Sequence, residues 1–196
     1  MNYIAHIHIA QHTDTSMVGN FLGDFVKGSE LQYLPADLEL GIRLHRSVDV
    51  FTDQHPAIIA LKTTFPPGIR RMAGIAIDIY FDHLLLKHWH LFSKQAYQHT
   101  LGSFYQQLHA CPIAISPRYA MLKQSLLKEQ WLEHYIDETT CLRAFKSIET
   151  RLKKRVTFAL QASEFLLKNH QQALQVFLNF YPQLLSHAVG YCTNNT

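Results

Sequence analysis

Histidine and aspartate residues spaced four apart mark the first half of this chain. His45 and Asp49 have this spacing, and so do Asp78 and Asp82. If each pair lies on a helix, its two side chains sit one turn apart on one face and can reach a single point. Carboxylates that meet without a cation repel one another. The spacing therefore favours a divalent metal site, and oxygen-rich ligands with some imidazole favour Mn²⁺ or Mg²⁺ over thiolate-bound metals.

Further polar residues in the same half extend this pattern. Asn20 and Asp24 are four residues apart, and Asp53 continues the stripe on the helix that carries His45. A single buried Asp or His is usually hydrogen-bonded in the core or paired with a neighbour such as Arg43 or Arg46. That interpretation stays open for each residue alone, but three helices with the same feature favour one shared site.

Apolar residues recur three and four positions apart along most of the chain, which indicates helix almost throughout. We predict helices at 3–12, 16–27, 36–54, 68–92, 96–109, 118–136, 139–156 and 158–186. Glycines inside the polar helices, such as Gly41 and Gly74, predict close contact between those helices. With no repeat, strand hairpin or flexible linker, residues 1–196 are expected to form one all-α domain.

Composition argues against several other classes of protein. A chain with 47% hydrophobic and 17% charged residues is typical of a globular protein rather than a disordered one. The three cysteines are isolated, which suits a reducing compartment and offers no zinc pair. No apolar run is long enough for a membrane helix, and the N-terminal segment is unlike a signal peptide. We expect a cytoplasmic protein that does not bind membranes.

Four segments in this order closely resemble the acyl carrier protein phosphodiesterase family: MNYIAHIHIA, GNFLGDFVKG, GIRLHRSVDVFTDQHP and IDIYFDHLLLKHW. The likeness is dense over residues 1–92 and continues more weakly through LLKEQWLEHY at 126–135. The resemblance implies a compact helical bundle like the HD-domain phosphohydrolase fold. It also implies hydrolysis of holo-acyl carrier protein to apo-protein and 4′-phosphopantetheine with a divalent metal, Mn²⁺ or Mg²⁺.

The family pattern is met here at ten positions: His6, Asn20, Asp24, His45, Arg46, Asp49, Asp53, Asp78, Asp82 and His83. We assign five of them to the metal shell: Asp24, His45, Asp49, Asp78 and Asp82. Arg46 is expected to bind the non-bridging phosphate oxygens as charge develops. His83 or His6 is expected to orient the attacking water or protonate the departing serine oxygen. The adjacent His-Asp pair usual in HD proteins is replaced by Asp82-His83 in reversed order and by the spaced His45 and Asp49.

A basic run, RAFKSIETRLKKR, occupies residues 143–155 and holds six Lys/Arg against the single Glu149. A solvated helix face is one interpretation. Because acyl carrier proteins are strongly acidic as a class, the alternative is a docking surface that steers the partner. The residues assigned to it are Arg151, Lys153, Lys154 and Arg155, with Arg70 and Arg71 as a second possible location.

Two other functional classes remain open. A phosphohydrolase acting on a nucleotide or another small phosphate ester would use the same polar cluster with a different substrate site. A non-enzymatic helical binding module would need the cluster to be structural. The only feature that favours nucleic-acid binding is the basic charge of the second half. The sequence contains no recognition motif, so this function is not expected.

Overall fold

The computed structural model describes residues 1–153 and 155–195, apart from the side chains of residues 29 and 30. This part of the chain contains ten α-helices and no strand, which confirms the predicted all-α class. The helices are α1 (Tyr3–His12), α2 (Met17–Leu22), α3 (Ala36–Gln54), α4 (Pro56–Thr64), α5 (Ala73–Lys87), α6 (Tyr97–Ala110), α7 (Pro117–Glu129), α8 (Thr139–Arg151), α9 (Ala159–Lys168) and α10 (His170–Thr193). Four 3-10 segments join them at Gly28–Tyr33, Arg70–Met72, Trp89–Leu91 and Trp131–Ile136. None of the described helices combines the length and apolarity needed to cross a membrane.

The first half of the chain differs from the predicted boundaries at α2, at α4, which was not predicted, and at the predicted 68–92 helix, which is α-helical only over α5 and has a 3-10 segment on each side. Ser16 accepts a hydrogen bond from the Gly19 amide at 3.0 Å and caps α2, but this helix ends at Leu22 and not at the predicted residue 27. Asp24 therefore lies in the following turn rather than on the helix. Helix α3 ends at Gln54 as predicted, and Pro56 begins α4, because proline fits the first turn of a helix, where its missing N–H is not needed.

Two long helices predicted in the second half are interrupted. The predicted 118–136 helix ends at Glu129, because Gln130 adopts a left-handed conformation with φ of 47°. The predicted 158–186 helix is α9 followed by α10, with the break at Asn169. The Phe165 carbonyl of the last turn of α9 accepts both the Asn169 backbone amide at 3.0 Å and the Asn169 side-chain amide at 2.7 Å.

Helix α1 lies at the centre of the fold. Every residue from Ile4 to Ala10 is buried, and the helix packs against α2, α5, α6 and α10. A helix buried on all sides is normally apolar all round, so its polar side chains need partners. His8 has one, since its Nδ1 lies 2.8 Å from the Tyr181 hydroxyl.

A buried carboxylate fixes the start of this helix. Asp82 of α5 accepts hydrogen bonds from the Ile4 amide at 2.9 Å and from the Ala5 amide at 3.0 Å. The first amides of a helix have no partner within it, and here no side chain of α1 itself caps them. Burial raises the pKa of Asp82 to about 7 even though the two amide bonds lower it. Asp82 thus connects α1 to α5 across 78 residues of sequence.

Close contact between α2 and α3, predicted from their glycines, is confirmed. A methyl group added at Gly41 would lie 2.8 Å from the backbone of α2, and one added at Gly23 would overlap the ring of His45. Gly74 is different, because only the flexible Lys62 side chain is near it. The glycine contact holds α2 and the turn after it against the face of α3 that carries His45.

Replacing Asp82 with alanine should destabilise the fold. The Ile4 and Ala5 amides would lose their acceptor in a region without solvent, which costs about 1–3 kcal/mol for a buried unpaired donor. Urea unfolding followed by circular dichroism should show this loss. Asp53→Ala, which removes an exposed carboxylate paired with Lys62, is the control and should change stability by less than about 1 kcal/mol. Equal unfolding midpoints for wild type and Asp82→Ala would contradict the anchoring role.

Candidate metal centre and the adjoining cavity

Three of the predicted site residues converge on one point. His6 of α1 and His45 and Asp49 of α3 offer ligand atoms that all lie within 4.8 Å of one another. His6 Nε2 is 3.2 Å from Asp49 Oδ1, and His45 Nε2 is 3.1 Å from Asp49 Oδ2. The two imidazole rings stack with their centroids 3.8 Å apart. We call His6, His45 and Asp49 the imidazole–carboxylate cluster.

Two further predicted carboxylates border this cluster. Asp24 Oδ1 lies 3.8 Å from His45 Nε2. The α-amino group of Met1 lies 3.3 Å from Asp49 and 3.3 Å from Asp78, and so links Asp78 to the cluster. Burial lowers the pKa of this amino group, but the carboxylates of Asp78 and Asp49 outweigh it and raise the pKa to about 10. The group is therefore a cation held between two carboxylates.

The protonation states in the cluster suit metal binding. Burial, together with the neighbouring His45, lowers the pKa of His6 to about 3, so its imidazole is neutral at pH 7. Burial would raise the pKa of Asp49, but hydrogen bonds from His45 and His6 hold it well below its usual range. Neutral imidazole and ionised carboxylate are the forms that bind metals.

Charge and geometry both allow a divalent cation here. Asp24, Asp49 and Asp78 place three carboxyl groups around one ammonium group. Burial raises the pKa of Asp78 even though the Met1 ammonium group beside it lowers it, and a divalent ion would add further positive charge to favour its ionised form. Within the described residues neither His6 Nδ1 nor His45 Nδ1 has a hydrogen-bond partner. Both Nε2 atoms face Asp49, and a metal bound at Nε2 would require the ring proton on Nδ1, which has no acceptor among the described residues. Asp49 keeps 40% of its side chain exposed, so the cluster is open on one side.

Three other predicted site residues have different partners. Both oxygens of Asp82 accept backbone amides of α1. His83 Nδ1 lies 2.7 Å from the Tyr135 carbonyl. Arg46 donates a hydrogen bond to the Val26 carbonyl at 3.0 Å and lines a separate groove. The structure does not bring these three into the cluster, and their roles at the metal stay predictions.

A cavity of ≈ 610 Å³ adjoins the cluster and was not foreseen from the sequence. One part of its lining comes from the start of α1, the turn after α2 and one face of α5, including Asp24 and Asp78. The other part comes from α7, the 131–136 segment and α8. Three arginines belong to this second part: Arg118, Arg143 and Arg151.

The Tyr3 hydroxyl lies close enough to Asp24, Arg118 and Arg151 for all three charges to affect its pKa. Burial raises the pKa of the Tyr3 hydroxyl to about 12, and Asp24 also raises it, whereas Arg118 and Arg151 lower it. Arg118 is within hydrogen-bonding reach of this hydroxyl and stacks over the Phe25 ring at 5.2 Å. No spacing pattern links Tyr3 to Arg118 in the sequence, so the fold alone reveals their proximity.

The basic run predicted as a docking surface is divided by the end of α8. Arg151 is the last helical residue and lines the cavity, while Lys153 and Arg155 are exposed beyond it. Lys154 lies outside the described residues. The Glu149 carboxylate accepts the backbone amides of Phe158 and of Ala159, the latter at 2.6 Å. The one acidic residue of the run is therefore used at the start of α9.

Comparisons of the sequence with known proteins identify the family of this chain. Residues 1–184 match the family model described as Acyl carrier protein phosphodiesterase. The acyl carrier protein phosphodiesterase of Enterobacter sp. (strain 638) is 36% identical over 193 residues, which cover 96% of this chain and 97% of the relative. Proteins of the same name from Yersinia pestis and Salmonella agona (strain SL483) are 33% and 35% identical with the same coverage.

No solved structure matches this chain, so the predicted likeness to HD-domain phosphohydrolases stays a prediction. The family resemblance first indicated by four short segments is confirmed, because the family model and the relatives extend it over nearly the whole sequence. This chain belongs to the acyl carrier protein phosphodiesterase family.

Proposed function

We propose that this protein hydrolyses the phosphodiester of holo-acyl carrier protein, giving apo-acyl carrier protein and 4′-phosphopantetheine, with Mn²⁺ or Mg²⁺ as cofactor. Family membership and the names of the relatives support the substrate class. The observation that carries the proposal is the convergence of His6, His45 and Asp49 beside a cavity large enough for a small-molecule group.

The residues that would hold the metal are those of the imidazole–carboxylate cluster, with Asp24 and Asp78 at its border. When bound, the metal would polarise the phosphoryl oxygens and lower the pKa of a bound water. The sequence suggested that His6 orients the water or protonates the leaving serine oxygen. A pKa of about 3 makes His6 a poor proton donor at pH 7, so its place among the ligands is the better supported one.

The reaction can be tested by intact-mass spectrometry of holo-acyl carrier protein incubated with the purified protein. We expect loss of the phosphopantetheine mass with added Mn²⁺ and no loss after chelation. Asp49→Asn and His45→Gln should lower the rate on the order of 100-fold or more, because metal stabilisation of the transition state is worth several kcal/mol. Asp53→Asn, on the same helix but paired with Lys62 at the surface, should keep wild-type turnover.

Other outcomes of the same assay separate the alternatives. Full-rate hydrolysis after exhaustive chelation would contradict the metal mechanism. Turnover of nucleotides without turnover of holo-acyl carrier protein would indicate a different phosphohydrolase. If no phosphodiester is hydrolysed under any condition, a helical binding module becomes the better description.

We further propose that the basic surface after α8 docks the acidic carrier protein. Lys153 and Arg155 are exposed. Glu149, the one acidic residue of the run, binds the backbone at the start of α9 and does not pair with either of them. Arg151, first assigned to this surface, and Lys154 complete the predicted set, but Arg151 also lines the cavity. Charges at the rim of an interface mainly set the association rate and its salt dependence.

Reversal of Lys153 and Arg155 to glutamate should lower kcat/KM for holo-acyl carrier protein at low salt and flatten its decline with added salt. Hydrolysis of a small soluble diester should not change, since it needs no docking. Lys168→Glu, an exposed charge change on α9, is the control. Wild-type kcat/KM for the double variant, with a loss in Arg70→Glu/Arg71→Glu, would instead locate docking at the second predicted position.

A further inference from the structure

The cavity beside the cluster presents charges of both signs. Asp24 and Asp78 lie where the cavity adjoins the cluster, and Arg118 and Arg151 line the part formed by α7 and α8. A volume of ≈ 610 Å³ lies within the range of roughly 300–1,000 Å³ typical of small-molecule sites. A ligand with one anionic end and an uncharged remainder suits such a cavity better than a wholly apolar molecule.

Two of the three arginines are available to bind an anion. The arginine ion pairs among the described residues involve Arg43 and Arg143 and neither Arg118 nor Arg151. The Arg118 guanidinium lies over the Phe25 ring and within hydrogen-bonding reach of the Tyr3 hydroxyl. Arg143 is committed elsewhere, because it donates to the Thr140 hydroxyl at 3.1 Å and lies 4.0 Å from Asp137. Guanidinium groups bind phosphate oxygens with two parallel hydrogen bonds, so Arg118 and Arg151 suit a phosphate.

The remaining lining suits a chain that alternates apolar and hydrogen-bonding groups. Tyr3 and Trp131 form an aromatic wall with ring centroids 6.3 Å apart. Ile148 adds apolar surface, and the Ser147 hydroxyl can hydrogen-bond to an amide. Ser125 Oγ accepts the Trp131 Nε1–H at 3.1 Å and keeps its own proton to donate. An aliphatic chain interrupted by amides can contact all of these groups.

The covalent structure of holo-acyl carrier protein determines which part of this substrate can enter the cavity. The phosphate of holo-acyl carrier protein is esterified directly to a serine at the carrier surface, so the carrier must lie over the open side of the cluster when the phosphate reaches the metal. The other ester substituent then has to extend away from the carrier. The cavity adjoins the cluster through Asp24, Asp78 and the start of α1, which places it in position to receive that substituent.

We propose that this cavity binds the leaving 4′-phosphopantetheine, with Arg118 and Arg151 on the phosphate oxygens and the Tyr3–Trp131 wall along the chain. This inference rests on the proposed function, whose reaction releases that molecule. It gives Arg118 and Arg151 the phosphate-binding role that the sequence suggested for Arg46, whose side chain instead donates to the Val26 carbonyl.

Calorimetric titration of the full-length protein tests the proposal without relying on turnover. The probes are 4′-phosphopantetheine, pantetheine, inorganic phosphate and AMP, each with and without Mn²⁺. We expect 4′-phosphopantetheine to bind more tightly than any other probe, since only it satisfies both the arginines and the aromatic wall. Arg118→Gln/Arg151→Gln should weaken its binding about 10- to 100-fold, because two charge-assisted contacts are lost.

Matched variants make the result specific. Lys146→Gln removes a positive charge from the exposed face of α8 and should leave the affinity for 4′-phosphopantetheine unchanged. The Arg118→Gln/Arg151→Gln variant should bind pantetheine as wild type does. Both arginines are exposed, so the variant should retain the circular dichroism spectrum and unfolding midpoint of wild type.

Failure of this inference differs from failure of the proposed function. If holo-acyl carrier protein is hydrolysed but 4′-phosphopantetheine binds no more tightly than inorganic phosphate, the cavity assignment is overturned and the reaction stands. Wild-type affinity in the double arginine variant, or tighter binding of AMP, also overturns it. If the carrier protein is not hydrolysed while 4′-phosphopantetheine binds as expected through both arginines, the cavity assignment stands and the reaction does not.

Discussion

The hydrogen bonds from the first amides of α1 to the buried Asp82 carboxylate determine where this helix begins. The position of that first turn matters because it carries three groups to the candidate site: the α-amino group of Met1, the Tyr3 ring and the His6 imidazole. A shift of α1 by one residue would rotate them by about 100°. The bond between α1 and α5 is thus a condition for both the cluster and the cavity.

The candidate site has two electrostatic regions with Tyr3 between them. At the cluster, carboxylates exceed cations and favour a divalent metal, and the neutral His6 adds a ligand without adding charge. In the part of the cavity formed by α7 and α8, Arg118 and Arg151 favour an anion. A phosphodiester bound beside these carboxylates would be stabilised by positive charge from both sources, a metal at the cluster and the two arginines. The fold supplies the two regions from separate parts of the sequence, which allows them to lie side by side without neutralising each other.

The sequence predicted well what depends on local spacing. His45 and Asp49 lie one turn apart on α3 and do meet, as helical periodicity requires. Asp82 has the same spacing from Asp78, yet its oxygens accept amides of a helix 78 residues away. Spacing gives the face on which a carboxylate lies but not the partner that it finds there. The approach of His6 to His45 was suggested only by the family pattern, and nothing in the sequence linked Arg118 to the site.

Helix interruptions show a similar limit. The break between α9 and α10 falls at Asn169, where no proline or glycine marks it, so the sequence did not predict it. The predicted continuation through Pro182 is confirmed in α10, where packing against α3 and α5 can offset the hydrogen bond that proline cannot donate. Single-residue preferences therefore predict the all-α class but not the break at Asn169.

The central claim is that His6, His45 and Asp49 hold a divalent metal. Anomalous diffraction at the manganese edge, from crystals of the full-length protein grown with Mn²⁺, tests it most directly. The account predicts a strong anomalous peak within bonding distance of His6, His45 and Asp49, with Asp24 or Asp78 as a further neighbour. An ordered cluster without a peak, while manganese is bound at another position, would contradict it.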